Sequence, residues 1–447
     1  MRKSTKLILY GIPTTLLLSC AGGLLGFAHK SRSDRDLAVA RLAEVGLPTD
    51  PDQIKHIPDP DKDAGELLKE FRSAFLKARK VPANFAFSSP NERSSKAFVK
   101  ANPNLVRLRR QIFTKSELAT QLEPTLGHYQ LFPALEPFRN VVKLALAESQ
   151  VSAADGHPVE AIKLCEETVR FVQLLGTDPN HMAELQLGSL QKGVNQQTSE
   201  IFARYSSRVD VRMAMRLYLN ASIPSSDHRR AMIEDVSNAL VLEANVRKGK
   251  INLPELMASI GSSPATAGDK ATLNLYRIQG ASEMLFAKLY QGYADLYATV
   301  PADITQHKNR IDAAARWKRD ITGISAPNAF LVQNFVQDYV VCFETEAHLR
   351  AEWRSLNALL IASEIKAKTG SYPSALPVNG KDAIDPFTDN SLKYLLKGGR
   401  LTIYSVGDDL SDDDGQLRRQ NYLSTPGSSG PAQDTGFSVP YDLPKQK

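Results

Sequence analysis

The sequence predicts an α+β protein that is mostly α: a helical hairpin or solenoid-like domain, then a long helix and a small antiparallel β module. Two observations support this class. Apolar residues recur at three- and four-residue spacing from about residue 63 to residue 369. Strand patterns become frequent only after Gly370. With 42% hydrophobic and 23% charged residues, the composition is that of a globular protein.

The N-terminus carries basic residues before a long apolar stretch. Residues 7–28 are almost uninterruptedly apolar, and about 20 such residues suffice to cross a bilayer. We therefore expect a transmembrane signal-anchor over residues 1–30, a membrane contact through residues 7–28, and a location in the bacterial inner membrane with the body facing the periplasm or exterior. The alternatives are a lipoprotein signal with lipidation of Cys20, and ordinary cleavage after Ala21.

Residues 31–62 are expected to form a strap rich in proline and aspartate. A short helix covers its first part, to about residue 46. Four prolines then interrupt any regular element. They are Pro48, Pro51, Pro58 and Pro60.

Residues 63–326 are expected to form the helical domain. Breaks in the pattern are spaced by several tens of residues, which suits antiparallel helices packed as hairpins. The segment from Gly156 to Ala161 resembles the turn of a tetratricopeptide-type repeat, although no full repeat recurs at a fixed period. Cys165 and Cys342 lie in helical patterns as expected buried thiols, with a disulfide between them as the alternative.

Residues 327–415 are expected to form the long helix and the β module. The helix begins near Pro327 and stops at Gly370. Two short strands over residues 392–395 and 401–405 follow, and the glycines between them predict a hairpin. The remaining residues, 416–447, are predicted to be mostly mobile, with an optional last strand over residues 437–439.

The motifs of this C-terminal part resemble those of the major pseudopilins of type II secretion systems. The matching residues are Gly370, Tyr372, Pro373, Asp385, Pro386, Phe387, Tyr394, Ser405, Gly407 and Asp409. The resemblance implies a calcium-binding acidic loop that fixes the terminal β structure. The candidate ligands are Asp408, Asp409, Asp412, Asp413 and Asp414, with a solvated acidic turn as the alternative. Apart from calcium, no cofactor is predicted.

The architecture as a whole is similar to a group of membrane-anchored proteins of planctomycetes and related bacteria. Gly46-Leu47-Pro48 and the ending Asp434-Thr-Gly-Phe437 fit that pattern too. One departure separates the chain from pilins: Gly26-Phe27 lies at the far end of the apolar stretch and no glutamate follows it. The chain is therefore not expected to be a conventional pilin subunit.

Other constellations are weaker. Glu344, His348 and Glu352 share a helix face, which predicts a solvated face more than a metal site. The sequence holds no P-loop, no GxGxxG loop and no GxSxG elbow. Its net charge of +6 comes without a dense basic tract, so no nucleic-acid partner is expected.

These observations favour a non-enzymatic, membrane-anchored extracytoplasmic protein that acts as an interaction or assembly scaffold. Its expected partners are unidentified envelope proteins, with a link to a secretion or surface apparatus implied by the pseudopilin resemblance. The alternative is an extracytoplasmic hydrolase with its site in a groove of the helical domain. Whether the chain is an enzyme is left open by the residues alone.

Overall fold

A computed structural model describes residues 26–50, 59, 61–81, 92–118, 131–177, 181–224, 228–250, 281–303, 305–322, 338–398, 400–417 and 434–440. Within these ranges the chain is mostly helical and ends in a small antiparallel sheet. The predicted α+β, mostly α class is confirmed.

The helices are numbered here in chain order. The first, α1, covers residues 26–44. The others are α2 (Gly65–Phe75), α3 (Glu92–Ala101), α4 (Pro103–Ile112), α5 (Leu131–Ala154), α6 (Pro158–Val172), α7 (His181–Tyr205), α8 (Val209–Ala221), α9 (His228–Arg247), α10 (Ala281–Thr299), α11 (His307–Thr322) and α12 (Asp338–Thr369).

Helix α12 is the central element of the fold. It is 32 residues long, and α7, α8, α9, α11 and two strands of the sheet all pack against it. Helix α7 comes especially close: a Cβ added at Gly188 would lie 2.1 Å from Cγ2 of Thr345. Only glycine fits at that contact without a shift of the Thr345 side chain or of one helix. Because α12 is covered on several sides, no single face of it is left for solvent.

The apolar core has two main parts that meet at α12. The first part joins α2 to α8, most of α12 and the sheet. The second part joins α1, α9, α10 and α11 to the beginning of α12, where Tyr339 and Phe343 are buried. Helix α12 therefore links the two parts, because Tyr339 and Phe343 belong to the second part, and Cys342 and the buried apolar residues from Leu356 onward belong to the first.

The β module has the strand order β1-β2-β3, with β1 (Lys393–Lys397), β2 (Arg400–Ser405) and β3 (Thr435–Pro440). Lys397 pairs with Arg400, so β1 and β2 form the predicted hairpin with a two-residue connection. Strand β3 contains the residues suggested as an optional last strand. Its Gly436 lies against β2, since a Cβ there would be 2.3 Å from the carbonyl oxygen of Ile403.

The expected hairpin turn in the helical part is present between α5 and α6. Gly156 has φ +88°, and Ala161 is fully buried on the following helix. Ser149 of α5 donates a hydrogen bond to the Ala161 carbonyl oxygen at 3.0 Å. Both Cys165 and Cys342 are buried free thiols, so the alternative of a disulfide between them is wrong.

The predicted transmembrane signal-anchor and inner-membrane location are wrong. Across the described part of the chain, no helix combines the length and the apolarity that a bilayer crossing needs. At residues 26–28, where the anchor was expected to end, the chain is already in α1, and Phe27 packs against the second core part. The rest of the apolar stretch, residues 7–25, lies outside the described residues, as does Cys20 of the lipoprotein alternative.

Candidate functional site

The predicted calcium loop follows β2 and folds back toward the sheet. Asp412 accepts a hydrogen bond from the Tyr404 hydroxyl at 3.0 Å and pairs with Lys393 Nζ at 3.0 Å. Asp408 lies 3.7 Å from Nε2 of His348 on α12. These carboxylates therefore engage three separate parts of the module instead of one common point.

A carboxylate that the sequence analysis did not assign holds this loop. Asp434, just before β3, accepts the Gly415 N–H at 2.8 Å and the Asp413 N–H at 3.3 Å. Burial, aided by the charges of Asp412 and Asp413, raises the pKa of the Asp434 carboxyl to about 6 against the effect of these two N–H groups. In the sequence, Asp434 is noticeable only as the first residue of the motif Asp434-Thr-Gly-Phe437. That position by itself predicts no contact with the acidic loop.

Calcium binding by the five predicted ligands remains a prediction. Among the residues described, no three His, Cys, Asp or Glu side chains are placed to hold a metal ion together. Asp409 accepts the N–H of Ser411 in its own turn. One local feature does suit a cation, because Oδ2 of Asp413 is buried and has no hydrogen-bond partner among the described residues.

The acid–histidine–acid face expected on α12 is divided between different neighbours. His348 is buried, and its Nδ1 lies 3.0 Å from the Thr435 hydroxyl of β3. Glu352 is also buried and accepts a hydrogen bond from Asn195 of α7 at 2.7 Å. The expectation of a solvated face is wrong for both residues, since neighbours cover α12 where an amphipathic helix would face water.

A second set of ionisable side chains meets inside the helical part. Glu346 of α12 accepts a hydrogen bond from Arg310 of α11 at 3.1 Å. His228 of α9 places Nε2 3.1 Å from Glu346 and Nδ1 3.6 Å from Glu184 of α7. His307 of α11 lies 3.9 Å from the other oxygen of Glu346. We call these five residues the buried charge cluster.

The charges of this cluster are largely balanced around Glu346. Burial alone would raise the pKa of the Glu346 carboxyl, but His228, Arg310 and His307 outweigh it and lower the pKa to about 2. The pKa of the His307 imidazole is lowered to about 4. Burial is the main cause, Glu346 opposes it, and three nearby arginines lower the pKa as well. Glu346 is thus held as an anion and His307 as a neutral ring at pH 7.

The buried charge cluster is closed in this conformation. Each of its five side chains is at most 5% exposed. The nitrogens of His228 and Oε1 of Glu346 have no well-aligned hydrogen bond within the described residues. Paired acids and a histidine are groups that general acid–base chemistry uses, but here no substrate reaches them. No local motif could have found the cluster, because its residues come from four helices.

A third feature lies on the surface, on α8. Val209, Met213 and Leu217 are 64%, 66% and 59% exposed, and they lie at four-residue spacing on one side of the helix. We call these three side chains the α8 ridge. The sequence signal was the alternation of apolar residues over 209–219, which is the period of a strand. Folded as a helix, such a segment must expose part of its apolar set.

Comparisons with family models, curated proteins and solved structures found no match to this chain. The resemblance of the C-terminal module to pseudopilins and to planctomycete proteins therefore stays an expectation from the motifs.

Proposed function

We propose that the protein is a non-enzymatic interaction protein whose α8 ridge docks the apolar face of a helix in a partner protein. The observation that carries this proposal is the exposure of three large apolar side chains in a row on α8. Aligned apolar residues on a soluble surface are characteristic of interaction sites, whereas isolated ones need no explanation.

The dimensions of the ridge favour a helical partner. From Val209 to Leu217 the helix rises about 12 Å, close to two turns, which matches anchors at positions i, i+4 and i+8 of a docked helix. Met213 lies at the centre, and methionine is enriched at such contacts because its unbranched side chain adapts to the opposing surface.

The charges beside the ridge favour an uncharged face on the partner. Arg208 pairs with Asp210 at 2.6 Å, and Arg216 pairs with Glu364 of α12. The neighbouring charges thus neutralise one another, and the partner needs no charge to compensate them. Partners in a secretion or surface apparatus would follow only from the resemblance of the C-terminal module.

The test is a capture experiment with the full chain, comparing wild type with Met213→Glu. Because a charge at the centre of a desolvated contact weakens binding strongly, we expect at least about a tenfold loss of the captured partner. Leu37→Glu is the matched control, since Leu37 is also 66% exposed but belongs to α1, which packs in the second core part, whereas α8 packs in the first.

Three outcomes decide the proposal. A partner lost with Met213→Glu and kept with Leu37→Glu supports it. A partner kept by both variants, or no specific partner at all, contradicts it. Sedimentation of the purified chain tests one further case. Self-association that Met213→Glu abolishes would show that the α8 ridge docks a second copy of this chain and not a helix of another protein.

The second candidate is a hydrolase that uses the buried charge cluster. It is favoured by the position of His228 between Glu184 and Glu346. Reaction there would require α9 or α11 to move, because the cluster is closed. Hydrolysis of a simple activated ester by wild type, lost in His228→Asn with the fold intact by circular dichroism, would favour this candidate over the interaction protein.

A further inference from the structure

Arg350 of α12 is a partly buried cation without a counter-charge in contact. Its Nε is covered by protein, and it forms no hydrogen bond or ion pair with the described residues. Arg354, one turn further along the same helix face, is 8% exposed. Its guanidinium donates to the carbonyl oxygen of Ile384 at 2.6 Å, a contact that neutralises no charge.

The nearby carboxylates are already committed to other groups. Glu346, one turn before Arg350, accepts from Arg310. Asp385, in the loop between α12 and β1, accepts from the Ser405 hydroxyl and from the N–H groups of Phe387 and Val406. Neither carboxylate forms an ion pair with Arg350 or Arg354. Asp382, Asp385 and Asp389 act on Arg354 only from a distance, so within the described residues no carboxylate is in contact with either guanidinium.

Burial is the largest effect on both guanidinium groups, and charges of both signs act on them. Burial lowers the pKa of Arg350, Glu346 raises it, and Arg310 lowers it by a smaller effect. Burial likewise lowers the pKa of Arg354, with Arg350 acting in the same direction and Asp382, Asp385 and Asp389 acting against it. A chain that holds cations close together in a poorly solvated place incurs a free-energy cost, and a bound anion offsets that cost.

We propose that Arg350 and Arg354 form a binding site for an oxyanion of the phosphate class, where α12, α11 and the loop carrying Asp385 meet. The planar guanidinium groups offer paired N–H donors that match the oxygens of phosphate. Arg350 is partly exposed, so the anion reaches it from solvent, while Arg354 lies deeper. This site is separate from the α8 ridge and does not depend on its function.

The test measures thermal unfolding of the full chain with inorganic phosphate as the probe. Chloride at the same ionic strength controls for general screening. We expect about 10 mM phosphate to raise the melting temperature of wild type by roughly 2 °C or more, and Arg350→Gln to abolish the rise. Arg316→Gln is the control, because Arg316 is an exposed arginine on α11 and its loss should leave the rise unchanged.

A second measurement uses the variant without phosphate. Since Arg350 has no hydrogen bond or ion pair to lose, Arg350→Gln should melt at the same temperature as wild type or higher in chloride. A lower value would show that the fold already satisfies Arg350 and would overturn the proposal. An equal phosphate response in wild type and Arg350→Gln would overturn it as well. The same measurement with a phosphomonoester such as glycerol 2-phosphate then identifies the source of the anion. A larger rise in melting temperature with the ester than with inorganic phosphate would indicate a phosphate group attached to a larger molecule, and a smaller rise would indicate the free ion.

Discussion

Glu346, on α12, and Asp434, just before β3, are both buried carboxylates, yet their surroundings are opposite. Glu346 lies among Arg310, His228 and His307, and its pKa is lowered to about 2. Asp434 lies beside the carboxylates of the acidic loop, with only backbone N–H groups as donors, and its pKa is raised to about 6. Burial disfavours the anion at both places, so the neighbouring charges decide the sign.

This difference assigns different roles to the two regions. In the buried charge cluster, side chains from four helices meet around Glu346, and Arg310 balances the charge of that carboxylate within the fold. In the acidic loop, like charges are held close by the backbone, which leaves an excess of negative charge next to the sheet. A fold stabilised by the first arrangement weakens in acid, whereas the second arrangement weakens as the pH rises.

The largest expected effect comes from removing the charge of Glu346. Glu346→Gln leaves Arg310 buried beside a neutral amide, and breaking a buried ion pair in this way costs roughly 3–5 kcal/mol. Urea denaturation at pH 7 measures the loss. The control is Glu166→Gln, which removes a surface pair with Arg170 on α6 and should cost no more than about 0.5 kcal/mol. Equal losses in the two variants would contradict the role given to the cluster.

The next effect is the acid sensitivity that His307 contributes. Its folded pKa of about 4 lies below the ordinary value of 6.5, so the unfolded chain binds a proton more readily in that range. Wild type should lose on the order of 2 kcal/mol through this group as the pH falls from 6.5 to 4. His307→Asn should flatten that part of the curve in urea unfolding at a series of pH values. A variant as acid-sensitive as wild type there would rule out His307 as the source.

A smaller effect of opposite sign is expected for Asp434. Its folded pKa of about 6 lies above the ordinary 3.8, so its contribution to stability is full below pH 3.8 and is lost as the pH rises through 6. Asp434→Asn should therefore melt higher than wild type above pH 6, by roughly 1–2 °C, and no higher below pH 4. Scanning calorimetry across this range is the measurement. The opposite order above pH 6 would show that the two N–H contacts outweigh the repulsion.

The smallest expected effect is that of calcium on the acidic loop. A divalent cation would relieve the repulsion among the carboxylates, so millimolar calcium should raise the melting temperature of wild type at pH 7 by roughly 1 °C or more. Asp413→Asn should reduce the rise, because Oδ2 of Asp413 is the buried oxygen without a hydrogen bond. If titration calorimetry on the full chain shows no heat and melting does not shift, the calcium prediction fails.

The local parts of the fold were predictable from the sequence. Gly370, Gly398 and Gly156 all stand where a helix ends or a turn needs positive φ. The apolar spacing of α6 likewise predicted which of its residues are buried, including Cys165. These features depend on contacts between residues close together in the chain, which periodicity encodes.

The candidate sites were less predictable, and α12 shows why. Glu346, His348 and Glu352 all lie within two turns of one helix, yet their partners are on α11, β3 and α7 respectively. Their spacing gave the side of the helix on which each lies, but it gave no information about what packs there. Asp434 shows the same limit, because its partners Asp413 and Gly415 lie some twenty positions away in the chain.

The sequence by itself determined the helical class, the terminal hairpin and the places where helices stop, because backbone preferences and apolar periodicity act over a few residues. The tertiary structure alone decided which charges are buried together, which guanidinium lacks a counter-charge, and which apolar side of α8 faces solvent. The physical reason is that burial and electrostatic balance depend on distances between helices far apart in the chain. Such distances exist only once the elements have packed.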